Sequence, residues 1–186
     1  AAALGEGLRS AGIGSCGKHF PGHGYVIPDS HVELPVDDRA LEAMQEDMLP
    51  YRHLSLDGVM AAHVIYNCFD CNTAVFSNKW IGYLRNDIKF NGVVFTDDLS
   101  MAGAGVVGGM LSRVETAYNA GCDMLLVCNA PNVVGDVLEH WKPVVDPERG
   151  KRVEALIPQS SAKDWTVLQT DSAYLAAQRT IAKLMA

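Results

Sequence analysis

Residues 92–101 read Gly-Val-Val-Phe-Thr-Asp-Asp-Leu-Ser-Met. A short, nearly continuous apolar run ends abruptly in two adjacent carboxylates. Such a run has the pattern of a parallel strand buried on both faces, since a half-buried strand would alternate. The acidic pair then falls just past the strand's C-terminal end. Three other runs share this form: residues 12–20 (GIGSCGKHF), 58–66 (GVMAAHVIY) and 123–128 (DMLLVC). Each also ends in polar residues suited to chemistry, namely Lys18 and His19, His63, and Asn129.

Between the runs lie segments of helical periodicity. Residues 41–53 carry apolar side chains at helical spacing, with Asp37 and Asp38 as candidate N-terminal caps and Pro50 as a break. Residues 78–88 place Trp80, Ile81 and Leu84 on one face, and residues 112–121 close on a glycine, as helices commonly do. Helices are also expected over 133–141 and 173–185, joined by a polar, proline-containing stretch over 142–163. Strand, loop and helix thus recur four times, which predicts an α/β fold with a parallel sheet. Polar groups past successive strand ends favour the rim of a (β/α) barrel over a doubly wound sheet, which gathers its ligand at one switch point. No G-x-G-x-x-G follows the first strand, and Gly22-His23-Gly24 is too short to serve as a phosphate loop.

Composition excludes several classes. The chain has 186 residues, with 15 basic and 22 acidic side chains and a net charge of −7. It lacks the basic face that nucleic acid or an anionic membrane would require. Its apolar runs are too short to cross a bilayer. The first residues, Ala1-Ala2-Ala3-Leu4, have neither the basic flank nor the apolar core of a signal peptide. Cys16, Cys68, Cys71, Cys122 and Cys128 form an odd set scattered through apolar stretches. This pattern predicts reduced, mostly buried thiols and a cytoplasmic setting. Cys68 and Cys71 have the spacing of half a zinc knuckle or a redox pair, without a second pair to complete it.

The loop after the first strand carries the densest chemistry: Lys18-His19-Phe20-Pro21-Gly22-His23-Gly24, then Asp29-Ser30-His31. Its glycines and prolines predict mobility. In an extended segment Asp29 and His31 point the same way, and a carboxylate beside an imidazole raises the basicity of the ring. That suits general acid–base work, although a turn-forming Asp29 and a solvated His31 fit the pattern equally well. His19 and His23 with Asp29 or His31 could also supply three zinc ligands, but Pro21 and Gly22 deny them helical i,i+4 geometry. At the third strand end, Asp98 suits a helix cap. Asp97 would then project into the rim as a nucleophile or electrostatic stabiliser. Lys18 and His19 would line the same mouth as donors to a polar ligand such as a sugar.

Together these motifs, with Ala62-His63-Val64-Ile65-Tyr66 and residues 120–129 at matching distances, resemble glycoside hydrolase family 3, in particular its NagZ-type β-N-acetylglucosaminidases. The resemblance implies a (β/α)8 TIM barrel and a retaining β-N-acetylhexosaminidase acting through a covalent glycosyl-enzyme. It implies Asp97 as nucleophile, His31 as acid/base, Asp29 as its orienting partner, Lys18 and His19 as sugar ligands and Met101 as a pocket residue. No metal or organic cofactor follows from it. The implied substrate is terminal β-linked N-acetylglucosamine on 1,6-anhydro-muropeptides in peptidoglycan recycling. Retaining glycosidases ordinarily pair two carboxyl groups roughly 5 Å apart; a histidine acid is the departure here. Residues 67–73 (NCFDCNT) lack the prolines of the family pattern.

The motifs match the family's fifth to eighth strands, so residues 1–186 are expected to be the C-terminal half of one barrel. An eight-stranded barrel takes roughly 250 residues, and half of one leaves open sheet edges. A helix already under way at Ala1, with no initiator methionine, fits the same expectation. The N-terminal half of the barrel is then an expected partner. A non-catalytic sugar-binding remnant and a zinc hydrolase using His19 and His23 are the alternatives.

Overall fold

The computed structural model describes residues 1–158 and 163–185. Part of the polar stretch expected over 142–163, residues 159–162, lies outside the described residues. In chain order the elements are α1 (Ala2–Ser10), β1 (Cys16–Phe20), β2 (Val36–Asp37), α2 (Gln45–His53), β3 (Gly58–Ala61), β4 (Ile65–Tyr66), β5 (Asp70–Thr73), α3 (Asn78–Asn86), β6 (Val93–Thr96), α4 (Met110–Ala120), α5 (Pro131–His140), α6 (Pro147–Glu154), α7 (Trp165–Leu168) and α8 (Ser172–Leu184). Short 3-10 turns cover Leu41–Met44, Ala74–Phe76 and Ala102–Val107.

The main sheet runs β1-β3-β6, all parallel and in sequence order. Its register pairs Cys16 with Gly58 and Gly58 with Val93, so the three strands start level. The ladder shifts between Lys18 and Phe20, and the Lys18–His19 and Phe20–Pro21 peptides are both cis. A fourth position follows at Met124, which bridges Phe95 in parallel. Each of these four positions is followed by a helix, α2, α3, α4 and α5 in turn. Strands adjacent in sequence are therefore adjacent in the sheet, as in a singly wound (β/α) barrel and unlike a doubly wound sheet.

The fourth run is not the regular strand expected over 123–128. Its amides are drawn to side chains: Leu126 N–H donates to Thr96 Oγ1 at 2.9 Å and Cys128 N–H to Asp98 Oδ1 at 3.0 Å. Backbone bonds alternate with these, from Thr96 N–H to Met124 O and from Leu99 N–H to Leu126 O. The direction of a strand survives without its ladder.

A second, small sheet, β2-β4-β5, lies outside the expected pattern. It is built from the segments that follow β1 and β3, with Val36 paired to Ile65 in parallel and Ile65 to Thr73 antiparallel. The expected run 58–66 is consequently two strands serving two sheets. Residues 67–69, within the NCFDCNT departure, turn β4 into β5.

The buried core lies between the main sheet and its helices. Trp80, Ile81 and Leu84 form the inner face of α3 as the periodicity predicts, and Phe20, Val59, Tyr66 and Val94 meet them. Rings of Phe20, Tyr66, Phe69 and Tyr83 surround Trp80 at centroid distances of 4.4 to 6.0 Å. Ser77 starts α3: its Oγ accepts Trp80 N–H at 3.1 Å and donates to Asp70 at 2.5 Å. Gly121 ends α4 at φ +113°, in the left-handed region that favours glycine.

Several local expectations are corrected. Asp37 caps no helix. It is buried and grips the Arg39 guanidinium through both oxygens, while Asp38 accepts from Asn67 Nδ2. Ala40 and Met44 hold the positions before the 3-10 turn and α2, and neither offers a side-chain cap. Pro50 sits within α2 without breaking it. The polar stretch holds α6, docked by two arginines: Arg152 shares Asp123 with Arg85 of α3, and Arg149 donates to Cys122 O and Tyr118 O. Of the cysteines only Cys122 is buried, because Cys16 and Cys71 fall on edge strands and Cys128 at the rim. Among the described residues no helix is long and apolar enough to cross a membrane.

Candidate active site

The loops past the C-terminal ends of β1 and β6 enclose a cavity of about 340 Å³, lined by Lys18, His19, His23, Asp29, Ser30, His31 and Asp97. Five of the six site residues expected from sequence, Lys18, His19, Asp29, His31 and Asp97, thus line one concavity, and Met101 does not. That side chain is buried and lies outside the lining. A larger cavity of about 420 Å³ adjoins, between α1, α2 and the open edge of β1, and shares Lys18, His19 and His23.

Asp97 sits at the end of β6. Its Oδ1 accepts the Asp98 N–H at 2.8 Å, while Oδ2 stands 3.4 Å from His19 Nε2. The Asp97 and His19 side chains are 15% and 25% exposed, so the pair is sheltered but reachable from the cavity. Burial lowers the His19 pKa, only partly offset by the Asp97 charge and reinforced by Lys18. His19 therefore favours the neutral ring at neutral pH, able to offer one N–H to a ligand.

Asp29 and His31 are joined by a turn and not by extended alternation. Asp29 Oδ1 accepts both the His31 N–H at 2.9 Å and the His31 Nδ1 at 2.7 Å. Both side chains are open to solvent, at 64% and 71%. The hydrogen bond that the His31 ring donates to Asp29, and then the Asp29 charge, raise the His31 pKa, while the His31 amide and ring hold Asp29 below the usual carboxylate range. With Nδ1 occupied by Asp29, Nε2 is the nitrogen left for a substrate proton.

Residues that the sequence did not single out hold this loop in place. Ser30, between the pair, faces the other way: its Oγ meets His23 Nε2 at 3.2 Å and its carbonyl accepts Gly103 N–H at 3.1 Å. Tyr66 Oη donates to Gly22 O at 2.7 Å, and the Tyr25 ring stacks 4.2 Å from the Arg39 guanidinium. His63, a rim candidate, instead lies buried beneath, donating Nε2–H to Asp98 O at 3.0 Å and kept neutral by burial.

Asp98 is not the expected helix cap. The next helical turn begins at Ala102 behind Met101, without a side-chain cap. The Asp98 carboxylate accepts from Ser100 and from the 128–129 segment, and these bonds outweigh burial and hold it in its charged form. Among the described residues no group of three His, Cys, Asp or Glu side chains is placed to hold a metal ion.

Residues 1–164 match the glycosyl hydrolase family 3 N terminal domain. The chain is 47% identical to a beta-hexosaminidase of Aromatoleum aromaticum over 100% of its own length and 53% of that protein's, and 48% identical to a beta-hexosaminidase of Bordetella avium over 96% and 52%. Native NagZ from Neisseria gonorrhoeae superposes with a TM-score of 0.87 at 37% identity, over 99% of this chain and 54% of that one. NagZ from the same organism in complex with N-trifluoroacetyl-D-glucosamine gives 0.84 at 38% identity, over 98% and 54%. The chain thus spans about half the length of the relatives it matches. By family match, relatives and fold, the chain belongs to glycosyl hydrolase family 3.

Proposed function

We propose that this chain carries the acid–base and nucleophile side of a retaining β-N-acetylglucosaminidase (a glycoside hydrolase), cleaving terminal β-linked N-acetylglucosamine. The observation that carries the reading is the single cavity lined by Asp97, the Asp29–His31 pair, Lys18 and His19. Relatives named beta-hexosaminidase and a neighbour crystallised with N-trifluoroacetyl-D-glucosamine support the substrate class.

In the first step an Asp97 oxygen bonds to the anomeric carbon as the glycosidic C–O bond breaks, and His31 Nε2 gives its proton to the leaving oxygen. In the second, water attacks the anomeric carbon, neutral His31 takes a proton from that water, and the ester bond to Asp97 breaks. The raised His31 pKa supports the first role, since the ring carries its proton nearer neutrality. Lys18 and His19 N–H groups bind sugar hydroxyls. Met101 acts behind the cavity wall and not on its surface. The substrate in the cell is a muropeptide fragment in peptidoglycan recycling in the cytoplasm. Residues 1–186 supply strands five to eight of the barrel, and the first four strands complete the sugar pocket.

The test is release of a chromogenic aglycone from a β-N-acetylglucosaminide, in wild type and Asp97→Ala. Hydrolysis that vanishes in Asp97→Ala is expected. Turnover surviving that change overturns the assignment, and sugar binding without turnover in wild type would favour the non-catalytic reading. His31→Ala is expected to slow a poor leaving group far more than an activated aryl one, and equal losses would remove the acid role.

A further inference from the structure

The fourth strand position is held to β6 and the residues after it by alternating backbone and side-chain bonds, and the last side-chain rung is Asp98. Its Oδ1 accepts Cys128 N–H at 3.0 Å and Ser100 N–H at 2.9 Å. Its Oδ2 accepts the Ser100 hydroxyl at 2.6 Å and Asn129 Nδ2 at 3.3 Å. An ionised carboxylate offers about four lone-pair directions, and each here has a donor. The Asp98 carbonyl in turn accepts His63 Nε2–H at 3.0 Å from a fully buried ring. Asp98 itself is 9% exposed and is not part of the cavity lining. A buried carboxylate is costly unless fully hydrogen-bonded, and this one spends all its bonds on loops rather than on a helix end.

The consequence falls on its neighbour. The Asp98 N–H donates to Asp97 Oδ1 at 2.8 Å, which leaves Asp97 Oδ2 facing His19 and the cavity. We propose that Asp98 is the positioning residue of Asp97: by clamping its own residue to Ser100, Cys128, Asn129 and His63 it fixes the donor that aims Asp97 into the cavity. This rests on the reading of Asp97 as nucleophile and adds a residue to it. Asparagine does not reproduce this clamp: its one oxygen can hold two of the four donors, and its NH₂ is met only if the Ser100 hydroxyl and the Asn129 amide both turn round to accept.

The test compares Asp98→Asn with Asp97→Asn by NMR titration of the His19 imidazole. The charges that act most on His19 are those of Asp97, Lys18, His23 and His31. Asp97→Asn lowers the His19 pKa by removing the adjacent carboxylate. Asp98→Asn is expected to lower it in the same direction as Asp97 loses its position, and the Ser100→Ala/Asn129→Ala double variant, which removes no charge, is expected to do the same. A wild-type His19 titration in folded Asp98→Asn overturns the proposal. Should Asp98→Asn lose its dispersed spectrum, the Ser100→Ala/Asn129→Ala double variant takes its place, and a wild-type His19 in that variant is equally fatal.

Hydrolysis separates this proposal from the one beneath it. A misaimed nucleophile lowers kcat by about 10- to 100-fold while KM moves less than about threefold. Asp98→Asn with unaltered kcat, beside an inactive Asp97→Ala, overturns Asp98 as a positioning residue and leaves the nucleophile standing. Hydrolysis that survives Asp97→Ala overturns the functional reading, and the His19 comparison then judges Asp98 alone.

Discussion

His31 Nδ1 stands 2.7 Å from Asp29 Oδ1, and the same oxygen accepts the His31 backbone N–H at 2.9 Å. One carboxylate oxygen therefore fixes both the turn and the ring, so backbone geometry and proton affinity are set by a single atom.

Asp29→Ala removes both effects, and the His31 pKa is expected to fall toward 6.5, the ordinary histidine value. The linkage signs follow from the two directions. The raised His31 pKa contributes stability that is present below its unfolded pKa and lost as pH rises through the folded one. The lowered Asp29 pKa contributes stability that is present above its unfolded pKa and lost as pH falls through the folded one. Both groups are exposed, so added salt weakens the coupling. In the hydrolytic reading, the basic limb of the rate profile moves to lower pH in Asp29→Ala. NMR titration of His31 checks the first expectation, and an unmoved ring pKa contradicts it.

Asp123 is the counterpart beneath the sheet. Its fully buried side chain accepts from Arg85 Nη2 at 2.5 Å, Arg152 Nη2 at 2.7 Å and Val94 N–H at 2.8 Å. Asp123→Ala leaves two part-buried guanidinium groups and a strand amide without their acceptor. The loss of unfolding free energy is expected to be about 3–5 kcal/mol, the range for breaking a buried pair from one side. Urea denaturation measures it, and a change below about 1 kcal/mol, the scale of an exposed ion pair, would show that water replaces the carboxylate.

Those two aspartates also show what was legible in the sequence and what was not. The βα order could be read because buried parallel strands must be apolar and helices must hide one face, as Trp80, Ile81 and Leu84 do. Asp29, His31 and Asp97 could be placed together because rim loops of successive strands converge. The β2-β4-β5 sheet could not, since strands as short as Val36–Asp37 have too few residues to show alternation. The fourth strand dissolved for a related reason: nothing in DMLLVC reveals that its amides end on Thr96 Oγ1 and Asp98 Oδ1. Asp37 read as a cap because aspartate commonly caps helices, but Arg39 two residues on captured it. Local pattern is silent about which of two partners a carboxylate takes.

Trp80 is fully buried at the centre of its aromatic cluster, yet its Nε1 has no acceptor among the described residues. Trp80→Ala is expected to cost about 3–5 kcal/mol, combining lost transfer energy with a cavity. Trp80→Phe keeps most of the ring contacts and deletes the unpaired donor, so its cost is expected to fall below about 2 kcal/mol, because relieving a buried unsatisfied N–H returns roughly 1–3 kcal/mol. A Trp80→Phe cost well above about 2 kcal/mol would mean that the indole N–H is satisfied in solution, by a buried water for instance.

Gly103 links this packing to the acid–base loop. Its N–H donates to Ser30 O, and a Cβ built there would lie 3.1 Å from both Ser30 O and His63 Cβ. His63 is fully buried against Phe76 and Asp98, whereas Ser30 belongs to the loop that carries the solvent-exposed Asp29 and His31. In Gly103→Ala the neighbour that yields is therefore the loop. The expected result is faster amide exchange at Gly103-equivalent Ala and across residues 29–33, with the Asp29–His31 bond intact because both partners travel together. The His31 pKa stays raised while loop docking weakens. Exchange confined to residues near His63, with the loop unchanged, would show that the core gives way first and that the loop is the more rigidly held of the two.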